Sequence, residues 1–106
     1  MKSQQHPQSE GDIQLSPVLY ALSDPIRQHI VDVIREHGEQ ACNFFNVPIA
    51  KSTFSYHVKI LREAGIIHAR SQGTLRLLSL REEELEQRFP GLLDSILKAY
   101  EIEKKK

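Results

Sequence analysis

The hydrophobic period of this chain changes abruptly at Gly65, and that change restricts the fold more than any other feature. On the approach to Gly65, a helical wheel gathers Phe54, Val58 and Leu61 into a narrow arc. Ser52, Tyr56, Lys59 and Glu63 fall opposite, flanked by Ser55 and Arg62. The spacing predicts a helix from about Ser52 to Gly65 with one face in the core and the other free to touch something. Beyond it the chain runs IIHARSQGTLRLLSL, two β-prone segments flanking Gln72 and Gly73, which reads as a hairpin. Gly73 lets the tip turn with positive φ, and Arg70 and Arg76 sit near that tip.

The flanking segments are helical in pattern. Asp24 followed by Pro25 is a strong helix start, because the carboxylate accepts from free backbone amides and proline lacks a donor there. Ile26, Ile30, Val33 and Ile34 then repeat at helical spacing until Gly38 offers a stop. Upstream, Ile13, Leu15, Val18, Leu19 and Leu22 predict a short amphipathic helix, with Ser16 and Pro17 as its cap and first-turn proline. Phe44, Phe45 and Val47, ended by Pro48, predict a stub of helix and a tight turn. After Arg81 the run EEELEQRF is helical, Pro90 and Gly91 break it, and Leu92, Leu93, Ile96, Leu97 and Tyr100 form a stripe too apolar to leave exposed.

A chain of 106 residues has room for one core, placed at residues 12–103. Residues 1–11 are polar, rich in Gln and Ser and without an apolar period, and read as a mobile arm; residues 104–106 are a basic tail. With 40% hydrophobic and 26% charged residues, the composition is that of ordinary globular proteins rather than disordered or fibrous ones. No run approaches the roughly 18–20 apolar residues of a bilayer span, and MKSQQHPQSEGD lacks a signal-peptide core. A cytoplasmic location without membrane contact is expected. The lone cysteine, Cys42, offers no intrachain disulfide and fits a reducing compartment.

The net charge is zero, which argues against a nucleic-acid partner until its distribution is examined. Six basic residues and one acid lie between Lys51 and Arg81, whereas seven acids and two bases lie between Glu82 and Glu103. A basic segment is thus followed by an acidic one, and the first is suited to phosphates.

Three helices and then a β-hairpin with a basic tip make a mainly α fold, in the order of a winged helix-turn-helix. An α-helix fits the major groove of duplex DNA, where hydroxyl and amide groups reach base edges and phosphates, while a basic hairpin reaches the neighbouring backbone or minor groove. The candidate DNA contacts are Lys51, Ser52, Thr53, Ser55, Tyr56, His57, Lys59 and Arg62 on the helix, and Arg70, Gln72 and Arg76 on the hairpin. His57, at the edge of the buried arc, suits a structural hydrogen bond at least as well as a base contact.

The segments ALSDPIRQHIVDVI (21–34) and KSTFSYHVKILREAGII (51–67), with the hairpin after them, resemble the ArsR-type winged-helix repressors over residues 15–80. That family places a DP.R motif on the second helix and an S..S.HL..L..AG(L/I) motif on the recognition helix. The resemblance implies a cytoplasmic homodimer, paired through its first and last helices, that binds an imperfect inverted repeat and releases it on a signal. The pairing residues here would be Val18, Leu19 and Leu22 with Leu92, Leu93, Ile96, Leu97 and Tyr100. Metal-sensing relatives carry a cysteine pair near the third helix or Asp and His ligands along the last helix. This chain has one cysteine and no histidine after His68, which argues against metal sensing and against any cofactor.

Cys42 is either a small hydrophobe packed beside Phe44 and Phe45 or, if exposed beside basic groups, a redox-responsive thiol. His29, Asp32 and Glu36 share helical spacing, but such a trio is more often a solvated face than a metal site. Ser52, Ser55 and His57 do not form a nucleophile–base relay from one helix, and no phosphate loop or carboxylate pair is evident, so an enzyme is not expected. The rival reading is a winged-helix protein-interaction module without tight DNA binding, favoured by the neutral charge and by Tyr56 and Glu63 on the outer face. The effector, if there is one, is not encoded in any motif.

Overall fold

A computed structural model describes residues 13–105; the expected arm, residues 1–11, and the last lysine lie outside the described residues. The first helix, α1 (Leu15–Ala21), starts earlier than its serine suggests. Extended Gln14 precedes it and gives no side-chain cap, and Val18 donates its N–H to the Gln14 carbonyl at 3.3 Å. Ser16 and Pro17 fall inside the first turn, where proline's missing N–H leaves no helical bond unmade.

Helix α2 (Pro25–His37) is capped as the sequence predicts. The Asp24 carboxylate accepts from the N–H groups of Ile26 at 2.8 Å and Arg27 at 3.2 Å, and the Gly38 N–H closes the far end on the Ile34 carbonyl at 2.7 Å. Its buried residues are Arg27, Ile30, Val31 and Ile34, while Val33 is only half-buried. The arc is turned toward Val31 because α2 meets several partners, among them the next helix, the sheet and the last helix.

Past Gly38 a two-residue strand, β1 (Gln40–Ala41), precedes a single 3-10 turn at Cys42–Phe44. Helix α3 (Lys51–Glu63) buries Val58 and Leu61 fully and Phe54 partly. Its end is a Schellman motif: Ile66 N–H bonds the Leu61 carbonyl and Gly65 N–H the Arg62 carbonyl, both at 3.0 Å. Gly65 has φ +85°, and a Cβ there would stand 2.8 Å from Ile13 Cγ1, so the position excludes side chains on two grounds.

Strands β2 (Ile67–Gln72) and β3 (Leu75–Leu80) form the hairpin, in register from Ile67↔Leu80 to Gln72↔Leu75. The two-residue turn is Gly73–Thr74, one residue beyond the expected pair, because Gln72 still pairs with Leu75. Gly73 has φ +62° and Thr74 does not share that sign, the pattern of a type II′ turn. β1 lies on the other side of β3, giving the order β1-β3-β2.

Helix α4 (Glu82–Arg88) and helix α5 (Leu92–Lys104) complete the chain. The core gathers Val18, Ile30, Val31, Leu61, Ile66 and Leu78 from helices and sheet. Each such side chain contributes about 1.5–3 kcal/mol by leaving water. α5 lies on α2, where Tyr100 Oη is 3.2 Å from His29 Nδ1 and Lys104 Nζ is 3.6 Å from Asp32. Lys104 therefore ends this helix instead of opening a tail. Arg88 donates from Nε and Nη2 to the Ile13 carbonyl at 3.0 and 2.6 Å, fastening the root of α1 to the end of α4. Among the described residues no helix is long and apolar enough to cross a membrane.

Candidate nucleic-acid interface

The outer face of α3 carries Lys51, Ser52, Thr53, Ser55, Tyr56, Lys59 and Arg62, all exposed. That is the full helical set expected of the sequence except His57. His57 is 8% exposed, and its Nδ1 lies 3.0 Å from Arg27 Nη1. An arginine only donates, so Nδ1 accepts and the ring proton sits on Nε2. His57 is accordingly a packing partner inside the chain and not a base-reading group.

Arg27 itself is 4% exposed. Besides His57 it bonds the Ala21 carbonyl through Nε at 2.7 Å and reaches the Tyr20 carbonyl at 3.4 Å, while Asp24 Oδ1 stands 4.0 Å from His57 Nδ1. One guanidinium thus joins the end of α1, the start of α2 and the middle of α3. The DP.R motif contained Arg27, yet periodicity gave it no role, because its value lies in closing a gap between elements that are distant in sequence.

Tyr20 was also invisible to sequence reading. Its ring is exposed and lies 5.2 Å from the Arg27 guanidinium carbon, and its hydroxyl stands near enough to that of Tyr56 to push the Tyr56 hydroxyl above its usual pKa. Two phenols, one from α1 and one from α3, therefore stand near each other at this surface.

The hairpin cations divide into two kinds. Arg70 is held by Glu39 through two bonds, Nε to Oε2 at 2.9 Å and Nη2 to Oε1 at 3.0 Å, and also reaches Gln72 Oε1 at 3.2 Å. This fork-on-carboxylate geometry holds the Glu39 carboxyl below its ordinary range and ties the hairpin to the segment before β1. Arg76 instead borders a cleft shared with Lys51 and Ser55, so the hairpin and the start of α3 open onto one surface. Arg81, the last cation of the basic segment, is largely covered, with Nη2 buried and unbonded, and lies away from that surface role.

Cys42 is half-buried against the core, and burial pushes its thiol upward while Arg76 opposes the shift. A raised thiol is the opposite of what thiolate chemistry needs. Among the described residues no three His, Cys, Asp or Glu side chains gather as a metal set. His29 and Asp32 are already engaged by Tyr100 and Lys104.

The expected pairing residues also separate. Val18, Leu22, Leu93 and Leu97 are buried within the chain's own core, because α1 and α5 must close over α2 and α4 before anything else covers them. Leu19 is 45% exposed, Leu92, Ile96 and Tyr100 are half-buried, and Leu15 and Ile102 add exposed apolar surface that the sequence reading did not single out for pairing.

A helix with a polar, basic outer face, set on two supporting helices and followed by a hairpin that opens onto the same cleft, defines a winged helix-turn-helix domain. No family model matches the sequence. The chain is 33% identical over 97 residues to YceK, an uncharacterised HTH-type transcriptional regulator of Bacillus subtilis (strain 168), covering 84% of this chain and 91% of that one. An HTH-type transcriptional regulator of Methanocaldococcus jannaschii is 28% identical over 72 residues, covering 66% of this chain and 81% of that one. The crystal structure of a possible transcriptional regulator for arsenical resistance superimposes with a TM-score of 0.62 at 26% identity, over 82% of this chain and 85% of the other. The chain belongs to the HTH-type transcriptional regulators, and its form is that of the ArsR-type winged-helix proteins.

Proposed function

We propose that the chain is a repressor that binds an inverted-repeat operator as a homodimer, with α3 in the major groove and the β2–β3 hairpin on the flanking backbone. The observation that carries this reading is the exposed row Lys51, Ser52, Ser55, Tyr56, Lys59 and Arg62 on α3, next to Arg76 of the hairpin. Serine and tyrosine hydroxyls are suited to base edges and phosphates, and the lysines and arginines to phosphates and to the acceptor edge of guanine. Arg70, committed to Glu39, serves chiefly to hold the hairpin at its angle. Supporting the homodimer are the exposed apolar residues Leu15 and Leu19 on α1 and Ile102 on α5, which a second copy would cover. Two copies related by a two-fold axis then present two α3 helices to successive major grooves.

The test is duplex binding followed by fluorescence anisotropy across a salt series. Affinity should fall steeply with salt, and Lys59→Ala with Arg76→Ala should reduce the slope of log K against log salt by about 2. A flat salt response would reject the DNA reading and favour a winged-helix protein-interaction module. Light scattering at the same concentrations should give twice the chain mass; a monomer there would reject the dimer.

A further inference from the structure

Between α3, the 3-10 turn and the hairpin lies a cleft of about 610 Å³. Its size falls in the range of small-molecule sites, roughly 300–1,000 Å³. Its apolar lining includes Phe45, Phe54 and the exposed Leu75 over the core residue Val58, Lys51 and Arg76 border it as well, and no acidic side chain lines it. DNA phosphates would use these cations and leave the apolar lining unused. Val58 belongs to the core, so the apolar surface open to a ligand is that left by Phe45, Phe54 and Leu75, beside the two cations.

We propose that this cleft binds an amphiphilic carboxylate, an alkyl or aryl body ending in one anionic group, and that its occupant competes with DNA. The body lies over Phe45 and Phe54, and the carboxylate pairs with Arg76, whose planar fork donates to two oxygens at once. Cys42, on the same wall, does not oppose the anion, since burial keeps its thiol neutral. Lys51, Ser55 and Arg76 belong both to the cleft and to the DNA surface proposed above, so a bound carboxylate removes cations that phosphates need. The competition rests on that DNA reading; the binding of the carboxylate does not.

The experiment uses the full chain and decanoate below its micelle concentration, read by displacement of the fluorescent probe 8-anilino-1-naphthalenesulfonate. Saturable binding of one probe per chain is expected, with decanoate displacing it at a concentration at least about tenfold below that of decanol. Val47→Trp, which fills the cleft from its loop wall, should weaken probe and decanoate at least about tenfold while leaving the urea midpoint and DNA affinity in place. Arg76→Gln should erase the preference for decanoate over decanol. In the wild-type chain, but not in Val47→Trp, decanoate should lower affinity for duplex DNA. Equal displacement by decanol, displacement by inorganic phosphate alone, or probe binding indifferent to Val47→Trp overturns the site. A chain that binds decanoate but no duplex at any salt overturns the DNA reading instead.

Discussion

Replacing Arg27 with methionine isolates the junction beneath α3. Methionine keeps most of the unbranched stem, so packing changes little and the main loss is three donated hydrogen bonds. The weakest, to Tyr20 at 3.4 Å, is neglected. The other two leave the Ala21 carbonyl and His57 Nδ1 buried without a donor. A buried polar atom left unsatisfied costs about 1–3 kcal/mol, so Arg27→Met should destabilise the chain by about 3 kcal/mol. With urea m-values of about 1–3 kcal/mol per molar, the unfolding midpoint should fall by about 1–3 M. Circular dichroism in urea measures this, at one fixed protein concentration because self-association shifts apparent stability. His57→Phe removes the acceptor as well, so Arg27→Met should cost about 1 kcal/mol less in that background. A loss under about 1 kcal/mol in the single variant, or strict additivity in the double, would refute the view that this guanidinium holds the three helices together.

Gly65→Ala should cost about 2 kcal/mol or more in a thermal melt, from the left-handed backbone and the 2.8 Å approach to Ile13; an unchanged melting temperature would contradict the cap. Glu39 ionises more readily in the folded chain than in the unfolded one, so its contribution is present above the unfolded carboxyl value near 4.3 and disappears as pH falls through the lower folded value. Glu39→Gln should therefore flatten the acid limb of a stability–pH curve, and an identical limb in both chains would exclude that pairing as the cause. The Cys42 thiol runs the other way: above the unfolded thiol value near 8.5, the unfolded chain binds fewer protons than the folded one, so stability declines with rising pH until the folded thiol also ionises. Cys42→Ser should lose that decline, and iodoacetamide at pH 8 should modify the wild-type thiol more slowly than free cysteine; equal rates would show the burial to be unimportant.

The helices flanked by strong punctuation were readable from the sequence. Asp24, Pro25 and Gly38 bound α2, and the glycine of REAGII ends α3 through a motif with its own hydrogen-bond pattern. The outer face of α3 followed from the wheel because burial on a helix is periodic. β1 was not readable, since two residues carry no period and Gln40 and Ala41 are strand only by pairing with β3. His57 looked usable because the wheel places it at an arc's edge, and it took the position of Arg27, 30 residues earlier, to draw it inside. The pairing stripe was similarly overcounted: a wheel marks Val18, Leu22, Leu93 and Leu97 as apolar without saying whether their cover comes from this chain or another.

The joint between α3 and the hairpin contains only Ala64, Gly65 and Ile66, locked by the Schellman bonds, while Glu39 grips Arg70 from the opposite edge of the sheet. Helix and hairpin are thus held like a caliper, tied at the joint and again across the sheet. If DNA is bound as proposed, a duplex would have to bring its groove and flanking backbone to that gap or bear the cost of deforming, so stiffness and groove width at base pairs the chain never touches would weigh in which sites it selects.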